Sequence, residues 1–255
     1  MRGSFFNHPG TVVTSLFTVN GDMERNLSLV RRSAGEGAQG IAVQLMEMPP
    51  EMRTAETFRR LMAAAPELPF MFISYRGDAF LGSDDEARQP FLLRAAEAGA
   101  EVIDVMGDLY APSLHELALN PEAIARQKKL IGEIHGLGAK VVMSSHTPHA
   151  LTAEEILRHL REQAARGADI LKIVTRADTG EELAEAFRTT ALLKRSLSQP
   201  FIQLCGGKFS RPHRYLGPKL GLAIAFAVID ETPSSQPGIR HLRTVLDTID
   251  WTSPV

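Results

Sequence analysis

Short apolar, β-branched runs alternate with longer stretches of helical periodicity along the whole chain. The first run is Thr11–Val19. Behind it, Met23, Leu27 and Val30 share one helical face within Asp22–Gly35, with Asp22 at the cap position. Gly40–Leu45 leads into a helical stretch at Thr54–Ala65, and Pro69–Tyr75 leads into Asp84–Gly99. Val102–Met106 precedes a helix from Pro121 to Leu137, with Pro121 at a favoured first-turn position. Lys140–Ser144 precedes Thr152–Arg166, where Thr152 and Glu155 have capping-box spacing. Asp169–Val174 precedes Gly180–Lys194, and Pro200–Leu204 runs into a loop. Leu222–Ile229 precedes a last helix from Pro237 to Leu246.

Runs this continuously apolar are buried on both faces, which points to a parallel sheet. Glycines ahead of the strands, Gly40, Gly99, Gly138 and Gly167, suit helix C-caps. Eight βα units in 255 residues are the arithmetic of an α/β protein with one (β/α)8 TIM barrel, a single domain over residues 1–255. A doubly wound open sheet is the competing architecture.

Composition narrows the function classes. Apolar residues make up 44% of the chain and charged residues 23%, which is ordinary for a globular fold. Lys+Arg total 28 against 30 Asp+Glu, so no basic field exists to hold nucleic acid. No apolar stretch is long enough to span a membrane, and the N-terminus lacks the pattern of a signal peptide. The single cysteine, Cys205, suits a cytoplasmic location.

In such barrels the active site sits at the C-terminal ends of the strands. Lys172 lies within the sixth run, flanked by Ile170, Leu171, Ile173 and Val174. Buried and unpaired, it would be an uncharged amine able to form an imine with a carbonyl; the bland alternative is pairing with a carboxylate such as Asp104. His146 closes the preceding strand and is the natural proton-transfer group. Together they describe an imine acting as electron sink with a base at the adjacent carbon. Arg211, after the seventh strand, suits a carboxylate or a phosphate, and Arg76, after the third, is a similar candidate. No HExxH or CxxC motif occurs; Glu47, Asp104 and His146 are the only set that a metal-dependent isomerase barrel could use.

These residues, in this order, resemble type I 3-dehydroquinate dehydratase, a (β/α)8 Schiff-base lyase of the shikimate pathway. Met143-Ser144-Ser145-His146 resembles the family's histidine motif, and Ala168-Asp169-Ile170-Leu171-Lys172-Ile173 its Schiff-base lysine motif. Ser210-Arg211 resembles the carboxylate-binding segment, Ser235-Gln236-Pro237-Gly238 the loop closing over the substrate, and Ile73-Ser74-Tyr75-Arg76 the strand-3 arginine. The resemblance implies Lys172 as imine former, His146 as acid and base, and Arg211, Arg76, Gln44, Ser235 and Gln236 around a small carboxylate substrate. It also implies that no cofactor or metal is used and that the protein is a homodimer.

The departures bear on the substrate. The family's Glu-x-Arg on strand 2 is here Gln44-Leu45-Met46, its glutamate after strand 3 is Phe80, and its glutamine after Pro-Gly is Ile239. The carboxylate that supports the histidine is thereby lost, leaving Asp78 or Asp104 as replacements. A more apolar pocket fits a paralogue acting on a less hydroxylated cyclic keto acid; a non-catalytic carboxylate-binding barrel is the further alternative.

Overall fold

In a computed structural model of the protein, residues 3–231 and 236–251 are described. The strands are β1 (Val12–Thr18), β2 (Gly40–Gln44), β3 (Phe70–Ile73), β4 (Val102–Met106), β5 (Lys140–His146), β6 (Ile170–Arg176), β7 (Phe201–Gly206) and β8 (Ile224–Ala227). Each pairs in parallel with the next in sequence up to β7, and β8 pairs with β1. The order has no switch point of the kind an open doubly wound sheet requires. Between β7 and β8, the Ala223 N–H donates to the Phe201 carbonyl across 2.9 Å and brings the ends of the sheet together.

The helices α1 (Met23–Gly35), α2 (Ala55–Ala63), α3 (Asp85–Glu97), α4 (Pro121–Gly136), α5 (Ala153–Ala165), α6 (Gly180–Ser196), α7 (Ser210–Leu216) and α8 (Ile239–Thr248) each follow their strand, completing a (β/α)8 barrel. The sequence-level caps are in place: Asp22 accepts from the Arg25 N–H, and Thr152 and Glu155 close a reciprocal capping box.

Three expectations change. Periodicity leaves Ser210 and Arg211 in a loop, whereas they form the first turn of α7. Seven residues holding Pro212 and two arginines are too short and too polar to show an apolar stripe. Gly40 is not a C-cap: Gly37, at φ 91°, ends α1, while Gly40 opens β2 where a Cβ would lie 2.6 Å from the Phe5 ring. Strand β6 runs two residues beyond the predicted end, to Arg176.

Alternation along the strands separates chemistry from packing. In β5 the Ser145 hydroxyl meets His159 and Gln163 of α5, so it faces the helices, and Ser144 and His146 face the barrel axis. Gln163 also brackets the Lys172 backbone, donating to its carbonyl at 2.9 Å and accepting from its N–H at 3.0 Å.

Candidate active site

Lys172 points into the barrel with its side chain 4% exposed. Its Nζ lies 3.1 Å from Asp104 Oδ2, donates to the Tyr75 hydroxyl and sits 5.4 Å from the centre of the Phe226 ring. The Tyr75 hydroxyl donates in turn to Asp104 Oδ2 at 2.7 Å, and the Ser144 hydroxyl donates to the other oxygen of Asp104. Strands β4, β5 and β6, and the connection just after β3, thus each contribute one polar group to a single buried cluster. Burial, followed by the charge of Asp104, raises the Tyr75 phenol well above its ordinary value and keeps it protonated. Of the two readings of Lys172, the structure shows the pairing with Asp104, because an unpartnered ammonium at this depth would cost several kcal/mol.

His146 shares the cluster. Its ring meets Tyr75 edge-on, with centroids 5.0 Å apart, and its side chain is 35% exposed, so the open side of the imidazole reaches solvent. Neither Asp78 nor Asp104 supports it. Asp78 is bound to Arg53 at 2.7 and 3.0 Å, and Asp104 belongs to Lys172, Tyr75 and Ser144. The partner is Glu116, whose Oε2 lies 2.8 Å from His146 Nδ1 and accepts the His146 backbone N–H at 2.8 Å. Burial alone would raise the Glu116 carboxyl, but the hydrogen bond and charge of His146 hold it below the usual carboxylate range.

Sequence periodicity has no purchase on Glu116, which sits in the aperiodic connection between β4 and α4. The connection is nonetheless built. Glu116 has φ 48°, its carbonyl accepts the Ser145 hydroxyl at 2.6 Å, and a Cβ on Gly107 would lie 2.5 Å from that carbonyl. Arg166 donates to the carbonyls of Gly107 and Ala118 at 2.8 and 2.6 Å and ties both ends of the loop to α5.

The remaining candidates are placed less centrally. Arg76 gives Nε and Nη2 to Asp85 at 3.1 and 2.6 Å and Nη1 to Asp108 at 2.7 Å, so its guanidinium is occupied by protein carboxylates. Gln44 accepts from Thr18 at 3.0 Å. Arg211 is half-exposed and ion-paired with Glu231, with Tyr215 beside it. Gln236 accepts instead from Arg214, a buried arginine that also donates to the Cys205 carbonyl at 3.0 Å. Ser235 lies outside the described residues. Phe80 is half-exposed and Ile239 fully buried. Among the described residues no three His, Cys, Asp or Glu side chains gather as a metal site, so Glu47, Asp104 and His146 do not form the set an isomerase would need. A cleft of about 620 Å³ opens at the opposite, N-terminal end of the barrel, between Val13, Phe201 and Ala223, away from Lys172.

Comparisons with known proteins bear on the family and the fold. The family model described as Type I 3-dehydroquinase matches residues 21–252. A 3-dehydroquinate dehydratase of Klebsiella pneumoniae is 30% identical over 212 residues, covering 81% of this chain and 78% of the relative. The Neisseria gonorrhoeae protein of the same name is 25% identical over 260 residues, covering 89% of this chain and 98% of its own. The crystal structure of 3-dehydroquinate dehydratase from Geobacillus kaustophilus superposes with a TM-score of 0.79 at 18% identity, covering 94% of this chain and 91% of that one. The Enterococcus faecalis structure gives 0.77 at 18%, with 95% of each chain covered. At that identity the superpositions speak to the fold alone.

Proposed function

The chain belongs to the type I 3-dehydroquinase family, and on that premise we propose that it removes water from 3-dehydroquinate through an imine on Lys172. The observation that carries the reading is the buried amine of Lys172, on β6, sharing one cluster with His146 at the end of the neighbouring strand β5. Once Lys172 has condensed with the ring ketone, the protonated imine withdraws electrons and the adjacent C–H becomes acidic. Glu116 is ionised and can only accept, so His146 Nδ1 carries a proton and Nε2 is left free as the base. Nε2 takes the C–H proton, the electron pair forms the C=C bond, and the hydroxyl on the next carbon leaves as water with that proton. Hydrolysis of the imine returns Lys172. Arg211 is the carboxylate clamp in this scheme, exchanging Glu231 for the substrate.

A less hydroxylated cyclic keto acid is the second reading. It is favoured by Arg76 and Gln44 being engaged within the protein, and by Phe80 and Ile239 standing where the family carries polar groups. The proposal extends to a cytoplasmic homodimer. It is supported by the family and by one buried free cysteine, and among the described residues no helix is long and apolar enough to cross a membrane.

Borohydride reduction in the presence of 3-dehydroquinate tests the reading. Turnover together with a stable mass gain on the peptide holding Lys172 is the expected result. A trapped adduct without turnover moves the substrate to the second reading, and no adduct with any cyclic keto acid overturns the imine.

A further inference from the structure

We infer that Tyr75 is a catalytic residue for the imine-forming half of the reaction, relaying protons between the substrate carbonyl oxygen, Lys172 and Asp104. The inference rests on the lyase reading and divides its labour: Tyr75 and Asp104 serve the C–N bond, while His146 serves the C–H and C–O bonds of the elimination.

The hydrogen bonds form a directed chain. Lys172 Nζ donates to the Tyr75 hydroxyl, and the hydroxyl donates to Asp104 Oδ2 at 2.7 Å, the same oxygen that lies 3.1 Å from Nζ. Ser144 holds the second oxygen of Asp104 and fixes the carboxylate plane. His146 meets this chain through the edge of the Tyr75 ring, and its Nδ1 is engaged by Glu116. The hydroxyl hydrogen-bonded to the nucleophilic nitrogen is therefore that of Tyr75. Its phenol, raised well above the ordinary value by burial and by Asp104, enters the reaction protonated.

The proton balance follows from this chain. An ammonium is not a nucleophile, so Lys172 first passes one proton to Asp104. The freed lone pair attacks the ketone carbon, the carbonyl π pair moves to oxygen, and that oxygen takes the Tyr75 proton. Tyr75 recovers a proton from the nitrogen, which is now positively charged. The C–O bond then breaks with its electron pair on the hydroxyl, which collects the proton held on Asp104 through Tyr75 and departs as water. The nitrogen lone pair closes the C=N bond. The products are a protonated imine, ionised Asp104 and neutral Tyr75, and no atom changes oxidation state overall.

The test compares the wild-type protein with Tyr75→Phe, using 3-dehydroquinate and rapid quenching into borohydride. It also measures the primary deuterium isotope effect for the proton removed from carbon. Loss of a positioned acid should slow the appearance of the Lys172 adduct by about 100-fold. It should also drive the isotope effect on kcat towards unity, because C–H cleavage no longer limits the rate. A merely structural tyrosine would lower activity without suppressing the isotope effect, and that result, or an adduct formed at the wild-type rate, overturns the inference. Should Tyr75→Phe fail to fold, imine formation by the wild-type protein in H2O/D2O mixtures decides. A curved dependence, with two or more protons in flight, supports the relay, and a linear one overturns it. A wild-type protein that forms no adduct removes the lyase reading and this role with it, whereas a wild-type adduct with Tyr75→Phe unaffected removes only the role of Tyr75.

Discussion

One oxygen of Glu116 accepts twice from His146, from ring Nδ1 and from the backbone nitrogen, each at 2.8 Å. The pair fixes both the tautomer and the direction of the ring. Partners of this kind typically contribute a factor of 10–100. Glu116→Gln keeps the shape and removes the charge, so kcat should fall roughly 10- to 100-fold with KM nearly unchanged. Activity within twofold of wild type would mean that Glu116 does not orient the base.

Gly107 is the hinge on which that carboxylate depends. A Cβ there would meet the Glu116 carbonyl at 2.5 Å and the Ser145 hydroxyl at 2.7 Å. Backbone and a hydroxyl already bonded to His159 and Gln163 cannot yield cheaply. Gly107→Ala should push the β4–α4 connection outward. It should cost about 1–3 kcal/mol of stability and reproduce much of the activity loss of Glu116→Gln. The check is a denaturant melt run beside the kinetic assay; a variant of normal stability and activity would show that the loop relaxes freely.

Legibility in the sequence divides along physical lines. Eight parallel strands buried on both faces print themselves as apolar runs, which is why β1 to β8 could be read. Lys172 stood out because a lysine in a β-branched run needs a reason. Tyr75 was visible at the end of β3, but its role arises only where Asp104 and Lys172, distant in sequence, meet it. Glu116 was invisible because a loop has no period, and its φ of 48° belongs to a class usually flagged by glycine or asparagine. Arg76 was legible by its place at a strand end, but nothing local reveals that Asp85 and Asp108 engage its guanidinium.

Arg53 and Asp78 form an ion pair with both side chains fully buried. Asp78 also accepts the N–H groups of Phe80 and Leu81, and Arg53 Nε donates to the Met48 carbonyl at 2.8 Å. Burial would raise Asp78, but the Arg53 hydrogen bond leads the effects that hold it below the usual carboxylate range. Removing one partner strands the other charge, so Asp78→Ala should destabilise the fold by about 3–5 kcal/mol. The double variant Arg53→Met with Asp78→Leu should lose less than the single one. Urea unfolding measures both, and a single variant that loses under about 1 kcal/mol would contradict the buried pair.

Acid should unfold the protein through its buried imidazoles. Burial lowers His159 and His213 to about 4 from an ordinary value of 6.5. Between those limits the unfolded chain binds more protons than the folded one, so stability is fully present above 6.5 and declines as the pH falls towards 4. The depressed Glu116 carboxyl adds a further loss below the ordinary glutamate value of 4.5. Each histidine should contribute a slope approaching about 1.4 kcal/mol per pH unit inside the window. Unfolding free energies at pH 7.5, 5.5 and 4.5 for the wild type and His159→Gln check this, the variant being expected to show the shallower slope. Equal slopes would place the linkage elsewhere.

Arg211 and Arg214 compete for the role of carboxylate clamp, and their surroundings make different predictions. Arg211 is half-exposed, and its partner Glu231 is a carboxylate that the substrate would replace. Arg214 is buried, held by the Cys205 carbonyl and Gln236, and braces α7 against the segment ahead of α8. A hydrogen bond to a charged group contributes roughly 1.5–3 kcal/mol, so Arg211→Leu should raise KM about 10- to 100-fold with a smaller change in kcat. Glu231→Gln removes the resident competitor and should lower KM several-fold, an effect hard to obtain by damaging a site. Arg214→Leu should instead lower the melting temperature and leave KM close to wild type in the folded fraction. Steady-state kinetics on the three variants decide between them: an unchanged KM in Arg211→Leu with a raised KM in Arg214→Leu would transfer the clamp to Arg214.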